Sequence, residues 1–98
     1  MTAPAPRPKA VPTVQVDNPR FIVTEWRFAP GAETGWHRHD HVVMAVPQTG
    51  GVLLLETPEG LREAPLVAGR SYSREAGVEH NVINGSTHEV VFIEIEAR

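Results

Sequence analysis

The chain has no cysteine among its 98 residues. That removes disulfide staples, thiolate zinc sites, iron-sulfur clusters and thiol catalysis together, so any transition metal would have to rest on histidine nitrogen and carboxylate oxygen. A basic surplus is also missing: 9 Lys and Arg face 12 Asp and Glu, for a formal net charge of -3. Arg7 and Lys9 supply two of those basic charges, so the chain from Val11 onward is more acidic than the whole. Nucleic acid is therefore disfavoured as a partner. No run approaches the roughly 18 to 20 apolar residues of a membrane span. The opening stretch MTAPAPRPKA has no apolar core of the kind a secretory signal needs. These absences lead to an expected cytoplasmic protein without membrane attachment. No window carries apolar residues at helical spacing over ten or more positions behind a cap, so long helices are not expected.

What is present reads as a single β domain. Hydrophobic residues make up 41% of the chain, enough for one core. Residues 1–10 are expected to form a disordered tail and residues 11–98 the domain. After the tail, apolar side chains recur with period two in short runs. Strands are predicted near Val11 to Val16, Phe21 to Ala29, Trp36 to Val46, Val52 to Thr57, Leu61 to Val67, Arg70 to Arg74, His80 to Asn84 and Glu89 to Glu96. Glycine and proline fall between these runs, at Pro30-Gly31, Gly50-Gly51, Pro58-Glu59-Gly60, Gly69, Ala76-Gly77 and Asn84-Gly85. Short strands at this spacing indicate an all-β sandwich or barrel.

The histidines carry the chemistry. His37, His39 and His41 stand in GWHRHDHVVMAV, and His80 in GVEHNVIN. On a continuous strand His37, His39, His41, Val43 and Ala45 share one face, so two imidazoles at alternate positions reach one ion and a neighbouring strand can bring a third. His80 is the candidate for that third ligand. His41 is expected at the cavity entrance, turned outward by a bulge, with ligation the alternative. His88 follows a turn and is expected in solvent. Tyr72, Arg74, Glu79, Glu25, Trp26 and Arg27 are weaker candidates for a cavity wall, with Trp26 expected in the core. Glu33 and Glu79 are the available acid or base groups. Asn84 is expected to serve the turn that follows it.

The spacing of Gly31, His37, His39, position 43 and Gly50 resembles the first motif of the cupin family. That of Gly69, position 75, Gly77, His80 and Asn84 resembles the second. Position 43, glutamate in the family motif, is Val43, and position 75, proline there, is Glu75. The resemblance implies a small jelly-roll, or double-stranded β-helix, barrel. It also implies a divalent transition metal (Fe2+, Ni2+, Zn2+ or Mn2+) held by His37, His39 and His80. Without the glutamate the set resembles that of three-histidine cupins, among which are thiol dioxygenases and a diketone-cleaving enzyme. Three neutral imidazoles leave the full charge on the ion, which favours an anionic or chelating ligand. The function expected is an oxygenase or isomerase acting on a small anionic or dicarbonyl compound. The alternatives are a non-catalytic metal or small-ligand binding module and a regulatory subunit. A homodimer is expected, because so small a sandwich leaves sheet edges exposed.

Overall fold

A computed structural model describes residues 6–98. Nine strands follow in order: β1 Val11–Asp17, β2 Phe21–Phe28, β3 His37–Arg38, β4 Val43–Pro47, β5 Gly51–Thr57, β6 Gly60–Leu66, β7 Tyr72–Arg74, β8 Glu79–Asn84 and β9 Val90–Ala97. One sheet has the order β1-β2-β9-β4-β7 and the other β3-β8-β5-β6, with antiparallel pairing throughout. The two sheets enclose one core, the jelly-roll arrangement of a double-stranded β-helix. Among the described residues no helix is long and apolar enough to cross a membrane.

Period-two patterning accounts for the core. Phe28, Leu53 and Val90 are essentially without exposure, and the Phe28 and Phe92 rings stack with centroids 5.4 Å apart. Trp26 packs against this cluster, as its alternation with Phe28 predicts.

The long strand expected from Trp36 to Val46 is divided. Residues 39–42 form a bend, and the flanking pieces enter different sheets: β3 pairs with β8, and β4 with β9 and β7. The physical cause is a change of backbone partner: His39 still continues the pairing with the β8 side, its N–H donating to the Val78 carbonyl at 2.9 Å and its carbonyl accepting from the Gly77 N–H at 2.6 Å, whereas the Val42 carbonyl accepts from the Ala97 N–H of β9 at 3.0 Å. Period two therefore holds for His37 and His39, lapses through Asp40 to Val42, and resumes at Val43.

Of the residues expected as a tail, 1–5 lie outside the described residues. Lys9 bridges to Glu33, the Ala10 N–H donates to the Glu33 carbonyl at 2.9 Å, and Ala10 is buried. Packing thus begins ahead of Val11.

Candidate metal centre

Two strands, and the residue just past one of them, deliver the histidines to one point. His37 and His80 are direct register partners across β3 and β8. His39 lies two residues on, where its hydrogen bonds to residues 77 and 78 hold it beside the start of β8. The Nε2 atoms of His37 and His39 are 3.1 Å apart, and those of His39 and His80 3.2 Å. The three rings stand nearly edge to face, with interplanar angles of 87°, 71° and 87°.

This donor set fits a metal ion. Two imidazole nitrogens bound ~2.0–2.1 Å from one ion, at angles between octahedral and tetrahedral, lie ~2.9–3.4 Å from each other. All three nitrogens of the cluster are within 4.8 Å of one another. The tautomer of His37 also suits the role: its Nδ1 lies 2.9 Å from the Gly35 carbonyl, so Nδ1 carries the proton and Nε2 presents a lone pair. Thr34 Oγ1 sits 3.3 Å from the same Nδ1 and itself donates to the Gly35 carbonyl. Burial pushes the His39 imidazole below its ordinary range, with the neighbouring His37 adding to the effect. His80 is pushed down to about 4, by burial first and then by the charges of His37, His39 and Arg74. Both rings are thereby kept neutral, the state in which imidazole binds a cation.

The loop ahead of His37 is braced by a residue that sequence reasoning passed over. Asn81 accepts from the Gly35 N–H at 2.9 Å and donates to Glu33 and to Glu56, each at 2.7 Å. Its place beside His80 was the available signal: adjacent strand residues point to opposite faces, so Asn81 serves the loop while His80 serves the site. Glu33 is accordingly a structural group. The hydrogen bond from Asn81, helped by Arg7, holds its carboxyl below the usual range.

The other candidates separate by position. His41 is exposed and outside the three-histidine cluster, so the bend directs it away. His88 is exposed, with Nε2 3.0 Å from the Gly50 carbonyl. Glu25 and Arg27 pair with each other at 2.7 Å outside the cavity. Glu79 lies 3.9 Å from Arg38 and borders an open cleft of about 600 Å³ that also reaches His80, Arg62 and Arg74.

Behind the histidines is a small inner chamber bordered by Val43, Tyr72, Arg74, His80 and Glu94. Val43 therefore turns inward, as the motif position implies. Glu94 was not anticipated from the sequence, because it stands in the apolar run from Val90 to Ile95. Its signal was parity: Val90, Phe92 and Glu94 alternate on the inward face. Burial, aided by the charge of Glu96, raises the Glu94 carboxyl to about 7. The Trp26 indole N–H is buried and faces Glu94 closely enough to favour the charged form, without forming a regular hydrogen bond.

Known proteins share this architecture. The chain is 73% identical over 92 residues to the beta-alanine degradation protein BauB of Pseudomonas aeruginosa, covering 94% of this chain and 97% of that protein. It is 60% identical to a cupin domain from Bordetella pertussis, whose crystal structure superposes with a TM-score of 0.94 over 97% of this chain and 99% of that one. A double-stranded β-helix protein of Klebsiella pneumoniae shares the fold at 20% identity, with a TM-score of 0.76 over 91% of this chain and 76% of that one. No family model matches.

Proposed function

Since this chain belongs to the cupin superfamily, we propose that it is a metal-dependent enzyme acting on a short carboxylic acid that carries a second oxygen function. The observation that carries the reading is the convergence of three imidazole Nε2 atoms at 3.1 and 3.2 Å with the first tautomer already set. His37, His39 and His80 would hold the ion. A divalent transition metal there supplies a Lewis-acid centre with open positions, able to bind and polarise paired oxygen atoms.

The name of the Pseudomonas relative, a beta-alanine degradation protein, supports this substrate class. Transfer of the amino group of β-alanine to a 2-oxo acid, in exchange for that acid's carbonyl oxygen, gives a short acid whose new oxygen function and carboxylate stand in a 1,3 relation. Such a compound is both anionic and chelating, the two properties that a site of three neutral ligands favours. The chain's own residues then have definite tasks. The neutral imidazoles leave the ion's charge undiminished for the ligand, and the apolar Val43, where the motif has a carboxylate, leaves space beside it. Glu94, protonated below about pH 7, is a proton source within the same chamber. The reaction classes are oxygen-dependent cleavage and metal-assisted isomerisation, and the ions considered are Fe2+, Ni2+, Zn2+ and Mn2+.

Two further expectations belong to this reading. A homodimer is supported by the outer face of the five-stranded sheet, where Val42, Met44 and Val16 are 46%, 46% and 40% exposed. The cytoplasmic location stands as the setting of a degradative step, and cell fractionation tests it.

The activity is tested by purifying the protein with each of the four ions and following oxygen uptake and product formation. The panel comprises 3-oxo acids, β-diketones and small thiols. Turnover of a 3-oxo acid that depends on the metal supports the reading. Absence of turnover across ions and compounds, by protein that retains metal, contradicts it in favour of a binding module.

A further inference from the structure

Arg74 is distinguished from the other arginines by what it does not touch. Among the described residues Arg7, Arg27, Arg38 and Arg98 each have a carboxylate partner. Arg20, Arg62, Arg70 and Arg74 form no ion pair or side-chain hydrogen bond among the described residues, and of these only Arg74 is partly buried. A guanidinium withdrawn from water without an anion bears a desolvation cost that a bound anion would remove.

Its position shows which part of the molecule such an anion would occupy. Arg74 borders the open cleft and the inner chamber, and His80 borders both as well. The guanidinium carbon lies 5.0 Å from the centroid of the Tyr72 ring, a contact that orients the planar group while leaving its N–H fork available. On β7, Arg74 is the register partner of Val43, the inward residue at the motif position that lacks its carboxylate. The carboxyls nearby are otherwise disposed: Glu79 faces Arg38, Glu59 and Glu63 are exposed on the cleft's rim, and Glu94 lies deeper, against Trp26.

We propose that Arg74, oriented by Tyr72, is the carboxylate-binding residue of this cavity, receiving the acid group of a short 3-oxo acid whose far oxygen reaches the three histidines. The inference rests on the metal-site reading above and deepens it: the ligand's second oxygen function would lie at the three histidines and its carboxylate at Arg74, in place of a chelate that uses both oxygens at the histidine site. A fork of two parallel N–H donors discriminates a carboxylate from its ester, because the ester loses both the charge and one equivalent oxygen.

The test is titration of 3-oxobutanoate and its methyl ester, at millimolar concentrations, into Ni2+-loaded and metal-free protein, followed by calorimetry or amide chemical shifts. Wild type is expected to bind the acid about tenfold to hundredfold more tightly than the ester, the worth of a charge-assisted bidentate contact. Arg74→Gln should remove that preference while keeping the metal content of wild type. Arg74→Lys should keep only part of it, and Arg62→Gln, altering the other arginine of the cleft, should keep all of it. Equal binding of acid and ester by wild type, no binding of the acid, an unchanged preference in Arg74→Gln, or its loss in Arg62→Gln would each overturn the proposal. Should Arg74→Gln fail to fold, the Arg74→Lys and Arg62→Gln comparison decides alone. The metal-free titration separates the two claims: a preference that depends on Arg74 but arises in protein unable to hold any ion supports this inference while refuting the metal site.

Discussion

At the scale of single residues, two side chains decide how the cavity behaves. Glu94 is partly buried and lines the chamber that Tyr72 and Arg74 also border, and its carboxyl is raised from 4.5 to about 7. A group raised on folding adds to stability below its unfolded value and ceases to do so as pH rises through its folded value, so ionised Glu94 opposes folding above pH 7. Glu94→Gln, neutral and of the same shape, should therefore raise the stability of metal-free protein at pH 8 by on the order of 2 kcal/mol and change little below pH 4.5. Urea titrations at the two pH values check this, and equal effects at both would place Glu94 in contact with solvent. Val43 is the second such residue. It is 3% exposed and borders the chamber with His80. Val43→Glu should slow loss of the ion to a chelator, because a carboxylate facing three imidazoles completes a four-ligand set. An unchanged rate would show that position 43 does not reach the ion. The sequence made His37, His39, His80 and the missing glutamate legible through spacing. It concealed Glu94, whose apolar neighbours on a central strand read as core.

At the scale of strands and turns, the parity of buried residues was legible in β4 and β5, which have one face on the core, and not in β1, exposed throughout, or β8, buried on both faces. The break at residues 39–42 was not legible either, since it depends on a switch between distant partners, from residues 77 and 78 at His39 to Ala97 at Val42. That bend is what separates His39, 8% exposed, from the solvent-facing His41. The turn after β8 was anticipated correctly from Asn84, and the structure shows how much rests on it. Asn84 Nδ2 donates to the carbonyls of Phe28, Ala29 and His88, and its Oδ1 accepts from the Ser86 N–H at 2.8 Å. Those bonds tie the end of β2 to the turn entering β9. Asn84→Ala should cost about 2–4 kcal/mol, since the substitution strands buried carbonyls without a donor. Thermal or urea unfolding checks the figure, and a loss below ~0.5 kcal/mol would mean that water replaces the amide.

At the scale of the whole molecule, the two sheets act as a frame that brings β3, β8 and the 77–78 turn to one end of the barrel. Neither sheet alone contains the site's surroundings: the histidine strands belong to the four-stranded sheet, whereas Val43, Arg74 and Glu94 come from the five-stranded one. Association of two chains would cover the exposed Met44 and Val42 on the latter sheet's outer face. Small-angle scattering should then return twice the chain mass, and substitution of Met44 by Glu should return it to one; a monomeric wild type would leave that face without a partner. The central claim is that three neutral imidazoles hold a divalent transition metal, and metal analysis of dialysed protein tests it most directly. The account predicts about one ion per wild-type chain and far less in each of His37→Ala, His39→Ala and His80→Ala, with His41→Ala close to wild type. Wild type free of metal after exposure to all four ions, or single-histidine variants that keep a full equivalent, would contradict it.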